Sequence, residues 1–330
     1  MKFNFSFKSV TTISLVVVFL FYLLGVFWSF EPDMFDVREQ AIADAKAEGV
    51  KPVVGYTTTT TLIRVAEKLQ DKPGGYLSND IMPPSLFLDN IPAWEFGVLE
   101  MVRDMSLAMR QSFSRSQSQS LENKHLKEAQ PKFNIDAYNW AIPSAEGEYS
   151  SAIEDLYKYR NNLADPLIQD AQFYARTDNL RDWLREIEKR LGSYSQRLSS
   201  SVGRNQLNTD LAGERNAQQS TMSASAVIVK TSWWKIDDVF YESRGACWAL
   251  LHMLQAIEVD FADVLETKNA SVSVSQIIRE LEATQEPVWS PMILNGSGFG
   301  IGANHSLVMA NYISRANAAL IDLRELLSQG

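Results

Sequence analysis

The sequence predicts a mostly α-helical protein, a single N-terminal transmembrane helix followed by a helical-bundle soluble domain. Three observations predict it. An uncharged apolar run opens the chain. Apolar residues recur at spacings of three and four through most of the remainder. Strand signals are scarce, Ala226–Val229 and its two following residues (AVIVKT) being the best.

The run from Ser9 to Phe30 holds 22 residues without a charge. As a helix it reaches about 33 Å, enough for a hydrocarbon core of about 30 Å. A lone segment can cross only as a helix, because only then are its backbone polar groups satisfied internally. Trp28 sits where an interfacial aromatic belongs. The run is longer than the roughly 7–15 residues of a signal-peptide core. Its exit, Gly25-Val26-Phe27-Trp28-Ser29-Phe30, lacks a small-x-small cleavage site. An uncleaved anchor is therefore expected over 10–30, with a tail at 1–9 and a soluble domain at 31–330. Lys2 and Lys8 precede the span, while Glu31, Asp33 and Asp36 follow it. That bias places the N-terminus in the cytoplasm and the soluble region on the other side.

Setting aside Lys2 and Lys8, the chain carries 29 basic and 40 acidic residues, a net charge of −11. Such a surface excludes generic nucleic-acid binding. One cysteine, Cys247, excludes a disulfide framework and a multi-cysteine metal site. None of His125, His252 and His305 has a second histidine three or four residues on, so no helical metal motif is read, and no metal and no cofactor is expected.

Along the soluble region, 61–70 reads as a helix capped by a threonine of the run Thr57–Thr61, and 71–84 as a breaker-rich loop. Pro92 opens a helix whose stripe is Val98, Met101, Val102, Met105, Ala108 and Met109, running towards Phe113. Polar tracts near 112–130 and 199–225 read as solvated or linking segments. Ser151-x-x-Glu154 and Ser273-x-x-Gln276 read as capping boxes, and Asp165-Pro166 as a further helix start. Leu180, Leu184, Ile187, Leu191, Tyr194 and Leu198 alternate spacings of four and three, with Trp183 beside them. This Leu180–Leu198 seam requires a partner helix, from the same chain or from a protein partner through self-association. Residues 246–265 are apolar almost all round, as in a buried helix, and Asn304–Leu327 forms a long final helix.

Two constellations invite chemistry. Gly296, Gly298, Gly300 and Gly302 lead through Asn304 into the last helix, an arrangement able to cradle an anion. The plain alternative is a loop that lets that helix pack closely. Asp237, Asp238 and Glu242 follow Trp233 and Trp234, and a carboxylate pair among aromatics, with His305, suits hydrolysis of a sugar polymer. The plain alternative is a helix start with acids in its first turn and tryptophans in the core. Cys247, among Trp and Leu, reads as structural.

Four blocks carry a resemblance: Lys72-Pro73-Gly74-Gly75-Tyr76-Leu77-Ser78-Asn79-Asp80, Asp89-Asn90-Ile91-Pro92-x-Trp94-Glu95-Phe96-Gly97-Val98, Ser114-Arg115-Ser116-Gln117-Ser118-Gln119-Ser120, and Asn304-His305-Ser306-Leu307-Val308-Met309-Ala310-Asn311. Together they resemble the DUF2333 family of bacterial proteins. The resemblance implies an inner-membrane protein with a periplasmic domain and brings no catalytic residues. The expectation is a membrane-anchored envelope protein with a structural, interaction or accessory role, not an enzyme. The alternative is a periplasmic hydrolase-like enzyme acting on an envelope polymer or lipid.

Overall fold

A computed structural model describes residues 7–116, 121–207, 226–297 and 299–329. Helix α1 (Phe7–Trp28) is continuous, and Gly25 is its single buried residue. Two of its hydroxyls are satisfied locally: Thr11 and Thr12 donate to the carbonyls of Phe7 and Lys8 at 3.0 and 2.9 Å. Among the described residues it is the one helix long and apolar enough to cross a membrane.

The soluble region is built on the crossing of α4 (Asn90–Ala108) and α8 (Ile236–Asp260). Two glycines permit it. A Cβ on Gly97 would collide with the Glu242 carbonyl, and one on Gly245 with the Trp94 carbonyl. The two backbones therefore touch, and α8 is buried without interruption from Glu242 to Leu254. Around this pair pack α2 (Val37–Glu48), α3 (Tyr56–Asp71) and α10 (Ser271–Ala283). Helices α5 (Lys124–Phe133) and α6 (Ala145–Ala164) form a pair beside α3 and α4. The short α9 (Ala262–Thr267) turns the chain from α8 to α10. The mostly α architecture follows the periodicity.

The seam on α7 (Thr177–Ser199) finds its partner inside the chain. Helix α11 (His305–Ser328) buries Met309, Ile313, Ala316, Leu320, Leu323 and Leu327, the same alternation of four and three. Glu188 pairs with Arg324 at 2.5 Å, and Ser195 donates to the Ala310 carbonyl at 3.2 Å, so the helices run antiparallel. All six seam residues and Trp183 are buried in one chain. The seam therefore offers no free face for self-association.

Several local expectations are corrected. Helix α3 starts earlier, at Tyr56, after Gly55 at φ 90°, and Thr57–Thr61 are buried within it. Its cap comes from across the fold: Asp260 accepts from the Thr58 N–H at 2.6 Å and the Thr58 hydroxyl at 2.7 Å. Ser151 lies inside α6, whose cap is Ser144, accepting from Gly147 at 3.2 Å. Helix α10 begins before Ser273, behind Ala270. Asp165 ends α6 and no helix follows Pro166 directly. The polar tract near 112–130 opens on the end of a π-helical turn, Met109–Phe113, and contains most of α5, whose Leu126, Ala129 and Phe133 are buried. The tract near 199–225 contains strand β1 (Arg204–Leu207), antiparallel to β2 (Ala226–Val229). Local polarity hid these elements because their partners are distant in sequence. Residues 117–120 and 208–225 of these tracts lie outside the described residues.

Candidate functional site

The sequence-predicted acids and bases do not share one site. Glu242 is held by both Arg197 guanidinium nitrogens at 2.5 Å, an ion pair between α8 and α7. Asp237 and Asp238 stand in the first turn of α8, where carboxylates suit the helix dipole. Burial, with Asp237 and Asp89 nearby, pushes the Asp238 carboxyl up to about 6. His305 lines a different cleft, of about 240 Å³, with Phe240, Arg244, Trp289 and Tyr312, and none of the three acids reaches it. Its Nδ1 accepts from the Leu294 N–H at 2.9 Å. Trp233 and Trp234 are 68% and 78% exposed, so they are surface residues and not core.

The glycine-rich loop closes on itself. Asn295 and Asn304 bridge its ends, and Asn304 Nδ2 donates to the Gly296 carbonyl at 2.5 Å. The amides opening α11 are already taken: His305 by the Leu294 carbonyl, Ser306 by Asn295, Leu307 by Asn304 and Val308 by the Asn304 carbonyl. An anion at this helix start would find those donors engaged. Gly302, at φ 119°, supplies a turn that other residues rarely adopt, and Gly300 donates to the Ser297 carbonyl. Gly298 lies outside the described residues.

Other charged clusters are also occupied. His125, Glu128 and Asp155 offer atoms within 4.8 Å of one another, a metal-like spacing. Asp155, however, already binds the ammonium groups of Lys132 at 2.5 Å and Lys158 at 2.8 Å. Arg160, buried beneath Tyr56 and Tyr157, pairs with Asp44 at 3.0 Å and with Glu48, tying α6 to α2. Cys247 is fully buried, and burial pushes its thiol up to about 12, which removes it as a nucleophile.

The most elaborate constellation lies where the chain leaves α1. Trp28 covers Gly74, whose missing side chain makes the room, since a Cβ there would sit 2.7 Å from the Trp28 ring. Three residues on, Glu31 accepts from Arg244 Nε at 2.8 and 3.0 Å. The other guanidinium nitrogens of Arg244 donate to the carbonyls of Thr284, Gln285 and Glu286 at 2.8–3.0 Å. Arg244 therefore fastens the exit segment to the end of α10 as well as to α8. Phe35 follows, stacked on His252 at 4.2 Å and set edge-on to Trp248 at 6.1 Å. Its N–H donates to His252 Nε2 at 3.1 Å, while Nδ1 contacts the Trp248 carbonyl at 2.7 Å. These bonds fix the neutral tautomer with the proton on Nδ1, and burial pulls the imidazole down to about 4.

The loop Lys72–Asp80 supports this junction from below. Lys72 Nζ meets Glu95 Oε1 at 2.6 Å with both side chains fully buried. Glu95 also accepts from the N–H groups of Leu77 and Ser78 at 2.9 and 2.8 Å. Two of the sequence blocks thus meet as one buried ion pair. Chemically the junction contains no free nucleophile and no unpaired base. It is a fixture that holds α1 against the soluble domain. Sequence reasoning missed Phe35, Arg244 and His252 as its parts. An arginine two residues from the start of an apolar helical run was the available signal.

The fold and junction define a helical protein that carries one exposed apolar helix fixed to its body. The chain matches, over residues 2–330, the family described as an uncharacterized protein conserved in bacteria (DUF2333), and it belongs to that family. No curated protein and no solved structure matches it.

Proposed function

We propose that this chain is an uncleaved single-pass protein of the bacterial inner membrane. Its N-terminus lies in the cytoplasm and its domain, 31–330, in the periplasm, where it serves a structural or interaction role in the envelope. The observation that carries this reading is the docking of α1 itself, through Trp28 over Gly74 and Gly25 against Leu88 and Pro84. A leader destined for removal gains nothing from being docked on the body by its last turn. The engagement of Glu242 by Arg197 and of His305 by Leu294 weighs against hydrolysis.

Intact mass of the membrane-extracted protein tests retention of α1. The full mass is expected, and loss of the first thirty or so residues would overturn the anchor. A reporter fused after Gly330 tests orientation, with activity expected only outside the cytoplasm. Purification from native membranes in mild detergent tests the role. A stoichiometric envelope partner is expected, and recovery of the chain alone would overturn the interaction reading.

A further inference from the structure

We infer that the loop Asp80–Asp89 is a second membrane contact, inserting its apolar tip into the same leaflet from which α1 emerges. This rests on the anchor reading above and adds a site to it. Between its two aspartates the loop reads IMPPSLFL, eight residues without a charge. Ile81, Met82, Leu86 and Phe87 are 56%, 72%, 59% and 77% exposed. Such a concentration of exposed apolar side chains marks an interaction surface.

Its position identifies what covers it. The single buried residue of α1, Gly25, is covered by this loop: a Cβ there would lie 3.5 Å from Leu88 and 3.7 Å from Pro84. Between loop and helix runs an apolar groove of about 640 Å³, lined by Pro84 and Phe87 on one side and by Phe21, Tyr22 and Val26 on the other, extending along α1 to Val18. Val18 lies ten residues before Trp28, about 15 Å along the helix axis. With α1 in a bilayer and Trp28 at its surface, the loop tip stands beside the apolar stretch of the helix, at membrane depth.

The loop's backbone suits that environment. Pro83 and Pro84 have no N–H to desolvate. The N–H groups of Leu86, Phe87 and Leu88 donate to the carbonyls of Met82, Pro84 and Ser85 at 3.4, 3.0 and 2.8 Å, and the Ser85 hydroxyl donates to Met82 at 2.6 Å. Irregular backbone in contact with lipid is costly chiefly through unpaired polar groups, and this turn pairs three of its six N–H groups internally. Asp80 and Asp89 bound the apolar stretch on either side, limiting the depth to the interfacial layer.

The test uses the full chain in vesicles of phosphatidylcholine and phosphatidylglycerol containing acyl-chain spin labels. Cys247 is fully buried and stays unreactive, so single variants Phe87→Cys, Val18→Cys and Glu186→Cys can each carry an environment-sensitive fluorophore. The Phe87 label is expected to be quenched to roughly half or more of the extent at Val18, with Glu186 on α7 unquenched. Quenching at Val18 without quenching at Phe87 leaves the anchor intact and overturns the loop contact. A blue-shifted but unquenched Phe87 label means a protein surface covers the loop, which also overturns it. Absence of quenching at Val18 overturns the anchor itself and the loop contact with it.

Discussion

The N–H of Phe35, seven residues beyond α1, donates to the Nε2 of His252 near the middle of α8. The bond exists only while the imidazole is neutral. Unfolded, His252 takes up a proton near 6.5, whereas in the folded protein burial pulls it down to about 4. A depressed folded value means that its contribution is complete above pH 6.5 and is lost as pH falls towards 4. The loss is on the order of 3 kcal/mol. Asp238 works in the opposite direction, because its folded carboxyl is raised to about 6 and gains from protonation as pH falls below that. Denaturant unfolding at pH 7 and pH 4 is expected to show a smaller drop for His252→Gln than for the wild type. Equal drops would show that His252 does not control the acid limb.

Gly97 and Gly245 make a test whose sign separates two effects. Alanine is the better helix former by about 1 kcal/mol, so propensity alone predicts stabilisation. Backbone carbonyls of Glu242 and Trp94 occupy the positions those methyl groups need. Gly97→Ala and Gly245→Ala are therefore each expected to destabilise by about 2 kcal/mol or more, read from the denaturant midpoint at unchanged slope. A stabilised variant would place α4 and α8 farther apart than backbone contact at the Gly97–Gly245 crossing.

Lys72 and Glu95 share one fully buried site, so neither tolerates the loss of the other. Lys72→Met and Glu95→Gln are each expected to cost about 3–5 kcal/mol, and the double variant clearly less than their sum. The expected coupling is large because the single variants strand a buried charge. Additive losses would mean that the pair is solvated.

Leu191, at the centre of the α7 seam, is 1% exposed against α11. Leu191→Ala is expected to destabilise by about 2–5 kcal/mol and to leave the association state unchanged. Sedimentation of the detergent-solubilised chain reads the second quantity. Dissociation of a larger species by this substitution would return the seam to an intermolecular role.

Metal addition is expected to leave unfolding unchanged at micromolar zinc, because Lys132 and Lys158 hold the Asp155 carboxylate that His125 and Glu128 would need. A rise in the thermal midpoint that Asp155→Asn abolishes would establish a site there.

The sequence by itself determined what depends on local pattern. The 22 uncharged residues 9–30 lie two positions along from the 22 of α1, because length and apolarity alone define such a helix. The alternation of four and three defined the buried faces of α4 and α7, and the apolar run around Cys247 defined the core helix α8. Tertiary structure decided everything that depends on which element faces which. The cap of α3 is Asp260, two hundred residues away, so the threonine run beside it misled. Serine at three-residue spacing from Glu or Gln marked no helix start at Ser151 or Ser273, because those side chains lie within helices already begun. The candidate site changed most. Asp237, Glu242 and His305 are neighbours in composition but serve separate contacts, while Glu31, Phe35, Arg244 and His252, spread over more than two hundred positions, converge on the exit of α1. A charge or ring acquires its role from the partner that folding brings to it, and that partner has no fixed place in the sequence.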